Sequence, residues 1–410
     1  MGIYLHIPFC VRKCNYCDFL SAPADAAVRR AYVSCLEEEI RQFEDADQYR
    51  VVSVFFGGGT PSILEGEEIG GIMKLLQEKF DFSASVKSRE RKHEQNTEGR
   101  IETDGKAVRE RRCLKPEITI ECNPGTLTEQ KLKIYRECGI NRLSLGLQSA
   151  DNKELNLLGR IHTWEDFLEN YKQARQMGFD NINVDLMSSL PGQTAASWEN
   201  TLRKVLKLRP EHISAYSLII EEGTPFYEIY GEAAASREQG KECGLLPEEE
   251  EEREMYYATK RILEEAGLYR YEISNYALPG RESVHNSGYW RRREYAGFGL
   301  GASSQLKRLR YKNTDNLEEY LQGDFSKKEL LVLTKDNEIE ETMYLGLRMT
   351  GGIDLREFED TFGVSAETIY RKELEQLDRQ GLICRQAEKL CLTDRGMDLS
   401  NRVLAEFLLD

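Results

Sequence analysis

Three features of the sequence predict an α/β protein with a smaller C-terminal unit. Apolar, β-branched runs alternate with amphipathic stretches from Gly2 to about Leu218. Glycines mark the boundaries between them, at Gly57-Gly58-Gly59, Gly139 and Gly178. Beyond residue 330 the pattern becomes helical and then hairpin-like. Repeating strand–helix order implies a parallel sheet with right-handed crossovers. Six such units are too few for a closed eight-stranded barrel, so a partial (β/α)6 barrel is expected. Its ligand groups should sit at the C-terminal ends of the strands.

The strands are expected at Ile3–Ile7, Val51–Phe56, Ile118–Glu121, Arg142–Leu147, Asn181–Leu186 and His212–Leu218. Helices between them should begin near Ala26, Gly66, Thr128, Asn152, Trp164 and Thr194. Residues 83–115 are charge-dense and almost free of large apolar side chains. Such a segment cannot bury enough surface to offset ordering entropy, and it reads as a disordered insertion. Residues 1–235 are thus read as the partial barrel and 236–330 as a linking region. Residues 331–410 form a winged-helix-like α+β domain: helices over Asp336–Arg348, Leu355–Phe362 and Ala366–Arg379, a wing over Leu382–Arg385 and Lys389–Leu392, and a closing helix over Arg395–Leu409. The third of these helices has no basic excess, with Glu367, Glu373, Glu375 and Asp378 against Arg371, Lys372 and Arg379, which favours a structural or docking role over DNA binding.

The formal net charge of −15 disfavours nucleic acid as a partner. No run approaches the ~20 apolar residues of a membrane span. Met1 leads straight into the first strand, so no signal peptide is expected. Ten cysteines scattered through a long chain do not make a disulfide framework. A reduced, cytoplasmic compartment fits them. The reading leaves a dimer open.

The most informative segment follows the first strand. Cys10, Cys14 and Cys17 form a Cys-x-x-x-Cys-x-x-Cys loop. Thiolates are soft ligands that select iron–sulfur clusters, zinc or copper(I). A cubane cluster normally takes four, so three would leave one iron open to a small molecule. A zinc knuckle would need a fourth protein ligand. His6 is near, but it lies inside the strand.

Polar groups then recur at successive strand ends. Gly57-Gly58-Gly59-Thr60-Pro61 ends the second strand, where glycines let backbone approach a ligand. Glu121-Cys122-Asn123-Pro124 ends the third, and Leu145-Gly146-Leu147-Gln148-Ser149 the fourth, with Arg160 twelve residues on. Asp185 ends the fifth, ahead of Leu190-Pro191-Gly192-Gln193-Thr194. Each could be a satisfied loop residue; together they describe a polar pocket at one end of a parallel sheet.

With these motifs assembled, the chain resembles the radical S-adenosylmethionine (SAM) superfamily. Within it, the similarity is to the coproporphyrinogen III dehydrogenase-like (HemN/HemW) family over nearly the whole length. The matching stretches are Tyr4-Leu5-His6-Ile7-Pro8-Phe9-Cys10, GGGTP, ECNP, GLQS, LLGR, NVDL and LPGQT. The resemblance implies a 4Fe–4S cluster on Cys10, Cys14 and Cys17. It further implies SAM contacts at Tyr4, Tyr16, Gly58, Gly59, Thr60, Glu121, Gln148, Arg160 and Asp185.

Two departures from the dehydrogenases point to the HemW heme chaperones of that family. Phe19 stands where the dehydrogenases carry another cysteine, and their N-terminal extension is missing. A His-Asn-x-x-Tyr-Trp motif, His285-Asn286-Ser287-Gly288-Tyr289-Trp290, is also similar to those chaperones. Imidazole is a common heme ligand, and Tyr289 and Trp290 offer flat faces to a macrocycle. The bland reading of His285 is a satisfied histidine in a structured loop. Arg291, Arg292 and Arg293 could pair with propionates; a solvated basic cluster is the alternative.

The expected function is therefore a HemW-like chaperone that binds heme as cargo beside a SAM-ligated cluster and delivers it to acceptor proteins. The alternatives are an oxygen-independent coproporphyrinogen III dehydrogenase, a radical SAM methyltransferase or heme-degrading relative acting on a porphyrin, and a winged-helix regulator. Whether the chain is an enzyme stays open at this stage.

Overall fold

A computed structural model describes residues 1–83, 115–238 and 244–409. The expected insertion at 83–115 falls almost entirely outside the described residues. Six parallel strands form the centre of one sheet: β1 (Gly2–Ile7), β2 (Ser53–Gly58), β3 (Glu117–Cys122), β4 (Arg142–Gln148), β5 (Ile182–Ser188) and β6 (His212–Ser217). They lie side by side in chain order.

Six short strands extend both edges: β7 (Tyr269–Arg270), β8 (Asn275–Ala277), β9 (Tyr295–Phe298), β10 (Ser303–Leu306), β11 (Leu309–Lys312) and β12 (Lys328–Val332). The sheet order is β12-β11-β10-β9-β1-β2-β3-β4-β5-β6-β8-β7. β9 runs parallel to β1, and β10 to β12 return antiparallel. On the other side β8 and β7 are antiparallel additions to β6. Among the described residues the two end strands, β12 and β7, do not pair, so the barrel is open.

Alternation along the strands separates two environments. Ile3, Leu5 and Ile7, and likewise Leu143, Leu145 and Leu147, belong to the main core. Their alternates Tyr4, His6, Ser144 and Gln148 belong to a polar inner face. The helix layer supplies the other half of the core, including Leu36 and Ile40 of Ala26–Gln42, Ile72 and Leu76 of Gly66–Lys79, Phe167 of Trp164–Gln176, and Trp198 and Leu202 of Ala195–Leu206. Each of these helices starts where an acidic or hydroxyl side chain holds its first turn. Asp25 accepts from the Ala27 and Val28 amides, and Thr163 and Thr194 form capping boxes.

A second core, centred on Met343, Phe358, Tyr370, Leu377, Leu390 and Phe407, organises the C-terminal residues. The expected helix Ala366–Arg379 is two helices, Ala366–Ile369 and Arg371–Arg379. The break falls at Tyr370, which is buried and donates from its hydroxyl to the Phe407 carbonyl at 3.1 Å. The closing helix is likewise broken, into Asp394–Asp398 and Ser400–Ala405. The wing gains a third strand: β13 (Ile353–Asp354) joins β14 (Ile383–Gln386) and β15 (Lys389–Leu392) in the order β13-β15-β14. Buried Glu341 ties this unit to the barrel, receiving Arg292 at 3.1 Å and Arg310 at 2.8 Å.

One buried carboxylate fastens the sheet extension to the helix layer. Glu39 accepts from the Gly299 amide (2.8 Å), the Asn313 side chain (2.7 Å) and the Tyr320 hydroxyl (2.7 Å). Beside it, Tyr32 donates to the His6 carbonyl at 2.7 Å and accepts from the Leu300 amide at 2.9 Å. Removing Glu39 strands several buried donors, each worth about 1–3 kcal/mol. Glu39→Ala should therefore lower stability by at least about 3 kcal/mol in urea unfolding. A loss below about 1 kcal/mol would mean that water replaces the carboxylate.

Candidate functional site

The cysteine loop is closed at its base and pinned at its middle. Phe9 bridges Ala22, with the Cys10 amide donating to the Ala22 carbonyl at 3.2 Å and the Ala22 amide to Pro8 at 3.0 Å. Asn15 sits between Cys14 and Tyr16. Its amide and side chain donate to the carbonyls of Leu158 (3.0 Å) and Leu157 (2.9 Å), and its own carbonyl accepts from the Phe226 amide (2.9 Å). Two sulfurs have polar neighbours: the Thr60 hydroxyl lies 3.5 Å from Cys10 Sγ and the Arg160 guanidinium 3.4 Å from Cys14 Sγ. His6 is not available as a fourth ligand, because its ring nitrogens are held by Tyr4 (3.1 Å) and the Leu20 carbonyl (2.9 Å).

Glycine is required where β2 meets this loop. Gly58 has φ +111°, and a Cβ there would stand 2.7 Å from the His6 ring. A Cβ on Gly59 would lie 2.6 Å from the Phe9 carbonyl oxygen and 3.0 Å from Cys10 Sγ. The Gly58 amide donates to Glu121 at 3.2 Å. Burial pushes the Glu121 carboxyl up to about 8, with Asp185 adding like-charge repulsion. Burial also raises Asp185, against the donors that surround it; Ser144 donates at 3.0 Å and Asn183 at 2.7 Å.

Arg160 gathers the loops after β1, β3 and β4. Besides Cys14, it donates to Asn123 Oδ1 and to the Gly146 carbonyl, both at 2.6 Å. Burial raises the Tyr16 phenol, and Arg160 beside it pulls the other way. Gln148 closes β4 in the left-handed region at φ +73°, beside an irregularity in the β4–β5 register. An αL conformation at a non-glycine residue is a strained one, of the kind found at ligand sites. Cys10, Cys14, Tyr16, Gly58, Gly59, Thr60, Glu121, Gln148 and Arg160 thus lie at or just beyond the C-terminal ends of β1 to β4, whereas Tyr4 lies within β1 and Asp185, expected to end the fifth strand, lies within β5. The sequence reading passed over Asn123 and Asn15. Both lie inside or beside the motifs, but their role depends on loops brought together from 37 and 142 residues away.

The donor set suits an iron–sulfur cluster with an open iron. Among the described residues, no three His, Cys, Asp or Glu side chains converge on one ion; a cubane assigns each thiolate its own iron. Among the described residues the buried Nε of Arg160 has no partner, so the neighbourhood can accept a further anionic or oxygen-bearing group.

The His-Asn-x-x-Tyr-Trp motif forms the helix Val284–Trp290. Glu117 of β3 accepts from the Val284 and His285 amides (2.9 and 3.2 Å) and so holds its N-terminus. His285 is buried, stacks on Phe55 at 5.0 Å, and has both nitrogens engaged, Nδ1 with Ser53 Oγ (3.0 Å) and Nε2 with the Tyr289 hydroxyl (2.9 Å). Burial, with Arg293 and Arg142 adding to it, lowers His285 to about 3. In this conformation its geometry is that of a satisfied histidine. One face of Trp290 is taken by Arg348, 4.3 Å from the ring centroid. Tyr289 differs: together with Tyr4, His6, Tyr295, Arg292, Arg293 and Arg310 it lines a cavity of about 450 Å³.

The comparisons with known proteins agree with this geometry. The radical SAM superfamily profile matches residues 4–205, and the HemN C-terminal domain profile matches residues 333–399. The chain is 34% identical to heme chaperone HemW of Lactococcus lactis, over 99% of this chain and 97% of that one. It is 33% identical to that of Bacillus subtilis (99% and 98%) and 30% identical to that of Escherichia coli (100% and 98%). The solved structure of coproporphyrinogen III oxidase HemN from Escherichia coli shares the fold, with a TM-score of 0.77 and 24% identity over 99% of this chain and 89% of that one. Full-length identity at this level, joined to the cysteine loop and strand-end motifs, makes this chain a member of the HemW family within the radical SAM superfamily.

Proposed function

We propose that the chain is a heme chaperone of the HemW type, which binds heme beside a SAM-ligated 4Fe–4S cluster and passes the heme to acceptor proteins in the cytoplasm. The observation that carries this reading is the 30–34% identity to three HemW proteins along the entire chain. Among the described residues, no helix is long and apolar enough to cross a membrane.

Cys10, Cys14 and Cys17 would hold the cluster, and the strand ends would hold SAM. When bound, the cluster supplies a redox-active iron with one open coordination site. Arg160 places a fixed positive charge against the cysteine loop, where thiolate charge accumulates. The Gly58–Gly59 backbone leaves room for a ligand, and Glu121 and Asp185 offer carboxylates to its ammonium or hydroxyl groups. Ser144 and Asn183 keep Asp185 oriented.

The reading is tested by anaerobic heme titration of the full chain, followed by transfer of the bound heme to an apo-heme protein. Incubation with coproporphyrinogen III, SAM and reductant forms the counter-test. Heme uptake and transfer without decarboxylation is the expected outcome. Formation of protoporphyrinogen would instead assign the chain to the dehydrogenases.

The cluster assignment predicts that Cys14→Ala abolishes the iron–sulfur chromophore, whereas Cys35→Ala, remote from the loop and hydrogen-bonded to the Leu321 carbonyl, retains it. Full iron and sulfide in Cys14→Ala would refute the assignment.

Glu121 predicts a pH dependence. Its free-state carboxyl titrates near 8, so below that pH it is mainly protonated. A ligand ammonium or hydroxyl favours the ionised form, so binding should release a proton. SAM affinity should then rise with pH, by at most about tenfold per unit, and level off above about 8. Glu121→Gln should flatten the profile; an unchanged slope would exclude Glu121 as the titrating group.

A further inference from the structure

Two cysteines that the sequence leaves apart from the cluster loop meet in the C-terminal wing. Cys384 of β14 and Cys391 of β15 stand directly opposite each other, between the pairs Ile383↔Leu392 and Arg385↔Leu390. Directly opposed residues of an antiparallel pair project to the same face of the sheet. Two residues back along β14, the Thr393 amide donates to the Leu382 carbonyl at 3.0 Å. Hydrogen-bonded pairs recur at every second residue, so Cys384 and Cys391 form one too, with Cα atoms about 5.5 Å apart. A disulfide spans Cα separations of about 4.4–6.8 Å. Both thiols are free.

The ordinary role of a buried cysteine is that of a small apolar packing group, and this pair does not fill it. The core face of the hairpin carries Ile383, Leu390 and Leu392. The cysteines alternate with these residues and lie on the other face, so the core does not have to open for the sulfurs to meet. The Cys391 sulfur occupies space that Gly352 leaves clear, since a Cβ on Gly352 would stand 2.6 Å from it. Turning that sulfur from Gly352 to Cys384 is one rotamer step. Access is unequal. Cys384 is half-buried, and the Gln386 side-chain amide donates to its sulfur at 3.8 Å. Cys391 is only 1% exposed, and burial raises its thiol, with Cys384 adding to the effect. An attacking thiol needs access and thiolate character, so Cys384 meets an incoming reagent first and Cys391 follows.

We propose that Cys384 and Cys391 are a reversible dithiol–disulfide site whose co-substrate is a low-molecular-weight disulfide. The Cys384 thiolate attacks one sulfur of that disulfide. A mixed disulfide forms, and one small thiolate leaves and takes up a proton. Cys391 then gives up its proton and attacks Cys384 Sγ; the mixed bond breaks, and the second small thiolate leaves and is protonated. The protein dithiol loses two electrons and two protons, and the reagent gains both as two thiols. The site is separate from Cys10, Cys14 and Cys17 and does not depend on the heme reading. It stands beside the turn that joins the C-terminal unit to the barrel. Gly352 belongs to that turn, and two residues earlier the Thr350 amide donates to the Tyr271 carbonyl at 3.0 Å.

The test is incubation of the full chain with oxidised glutathione, alkylation of the remaining thiols, and peptide mapping without reduction. Trypsin cuts after Arg385 and Lys389, so the two cysteines fall in separate peptides, 380–385 and 390–395. The cluster cysteines fall in other peptides and do not enter the readout. The wild type should give the two peptides joined by a disulfide, and dithiothreitol should separate them. Cys391→Ser should stop at a glutathione adduct on peptide 380–385. Cys384→Ser should leave Cys391 unmodified. Cys122, only 2% exposed within the barrel core, should carry no glutathione, which shows that the chain stayed folded. Joined peptides that appear only when Cys122 is also modified would overturn the proposal, because the unfolded chain would then be the reacting form. A glutathione adduct that persists on Cys384 of the wild type would overturn it as well, as would the absence of any reaction at Cys384.

Discussion

The placement of the Arg160 guanidinium is the constraint on which the rest of the site depends. It is buried, and it reaches the cysteine loop, the turn after β3 and the end of β4 with one rigid fork. A planar fork of fixed donors suits this better than a flexible ammonium would. Its acceptors are a sulfur, an amide oxygen and a backbone carbonyl. Among the described residues none is a carboxylate. The same cation therefore orients the loop and stands beside a sulfur that would hold the cluster. Gly146 belongs to the same constraint, since a Cβ there would come within 2.9 Å of the Asn123 oxygen that Arg160 holds.

A second level of organisation lies deeper in the barrel. Strand alternation puts ionisable groups on the inner face: Glu117 and Glu121 on β3, Arg142 on β4, Asp185 on β5 and His212 on β6. Arg142 is almost fully buried, and its Nε has no partner. Its field draws Glu117, Glu121 and Asp185 downward against burial, and it helps to keep His212 and His285 neutral. Glu117 in turn caps the Val284–Trp290 helix, whose Tyr289 lines the neighbouring cavity. The strand ends and the helix are thus connected through one polar interior.

Much of this was legible in the sequence, for a physical reason. Parallel strands buried on the helix side are apolar runs that end abruptly, and a ligand site at their ends needs glycine, carboxylate and amide groups at just those boundaries. The six central strands and the loops after five of them follow from that pattern, with boundaries displaced by one or two residues. The edge strands β7 to β12 were not visible. They span two to five residues, and β12 is exposed along its whole length, so neither apolar runs nor alternation marks them. Their pairing comes from the sheet edge they join. Tyr370 and Leu399 break helices for tertiary reasons that local propensity does not encode.

The sequence could not show which side-chain atoms of the His-Asn-x-x-Tyr-Trp motif are engaged within the fold. His285 is the residue that ligand chemistry singles out first, and a sequence says nothing about which of its nitrogens is free. In the fold, Ser53 from β2 takes one and Tyr289, one helical turn on, takes the other. The spacing that brings His285 to Tyr289 is the i, i+4 relation of a helix, so the pairing was readable only once the motif was known to be helical. Ser53, 232 residues away in the chain, was not readable at all. The motif therefore does not offer its imidazole to the cavity. The residue of the motif that lines the cavity is Tyr289, and burial holds the proton on its phenol.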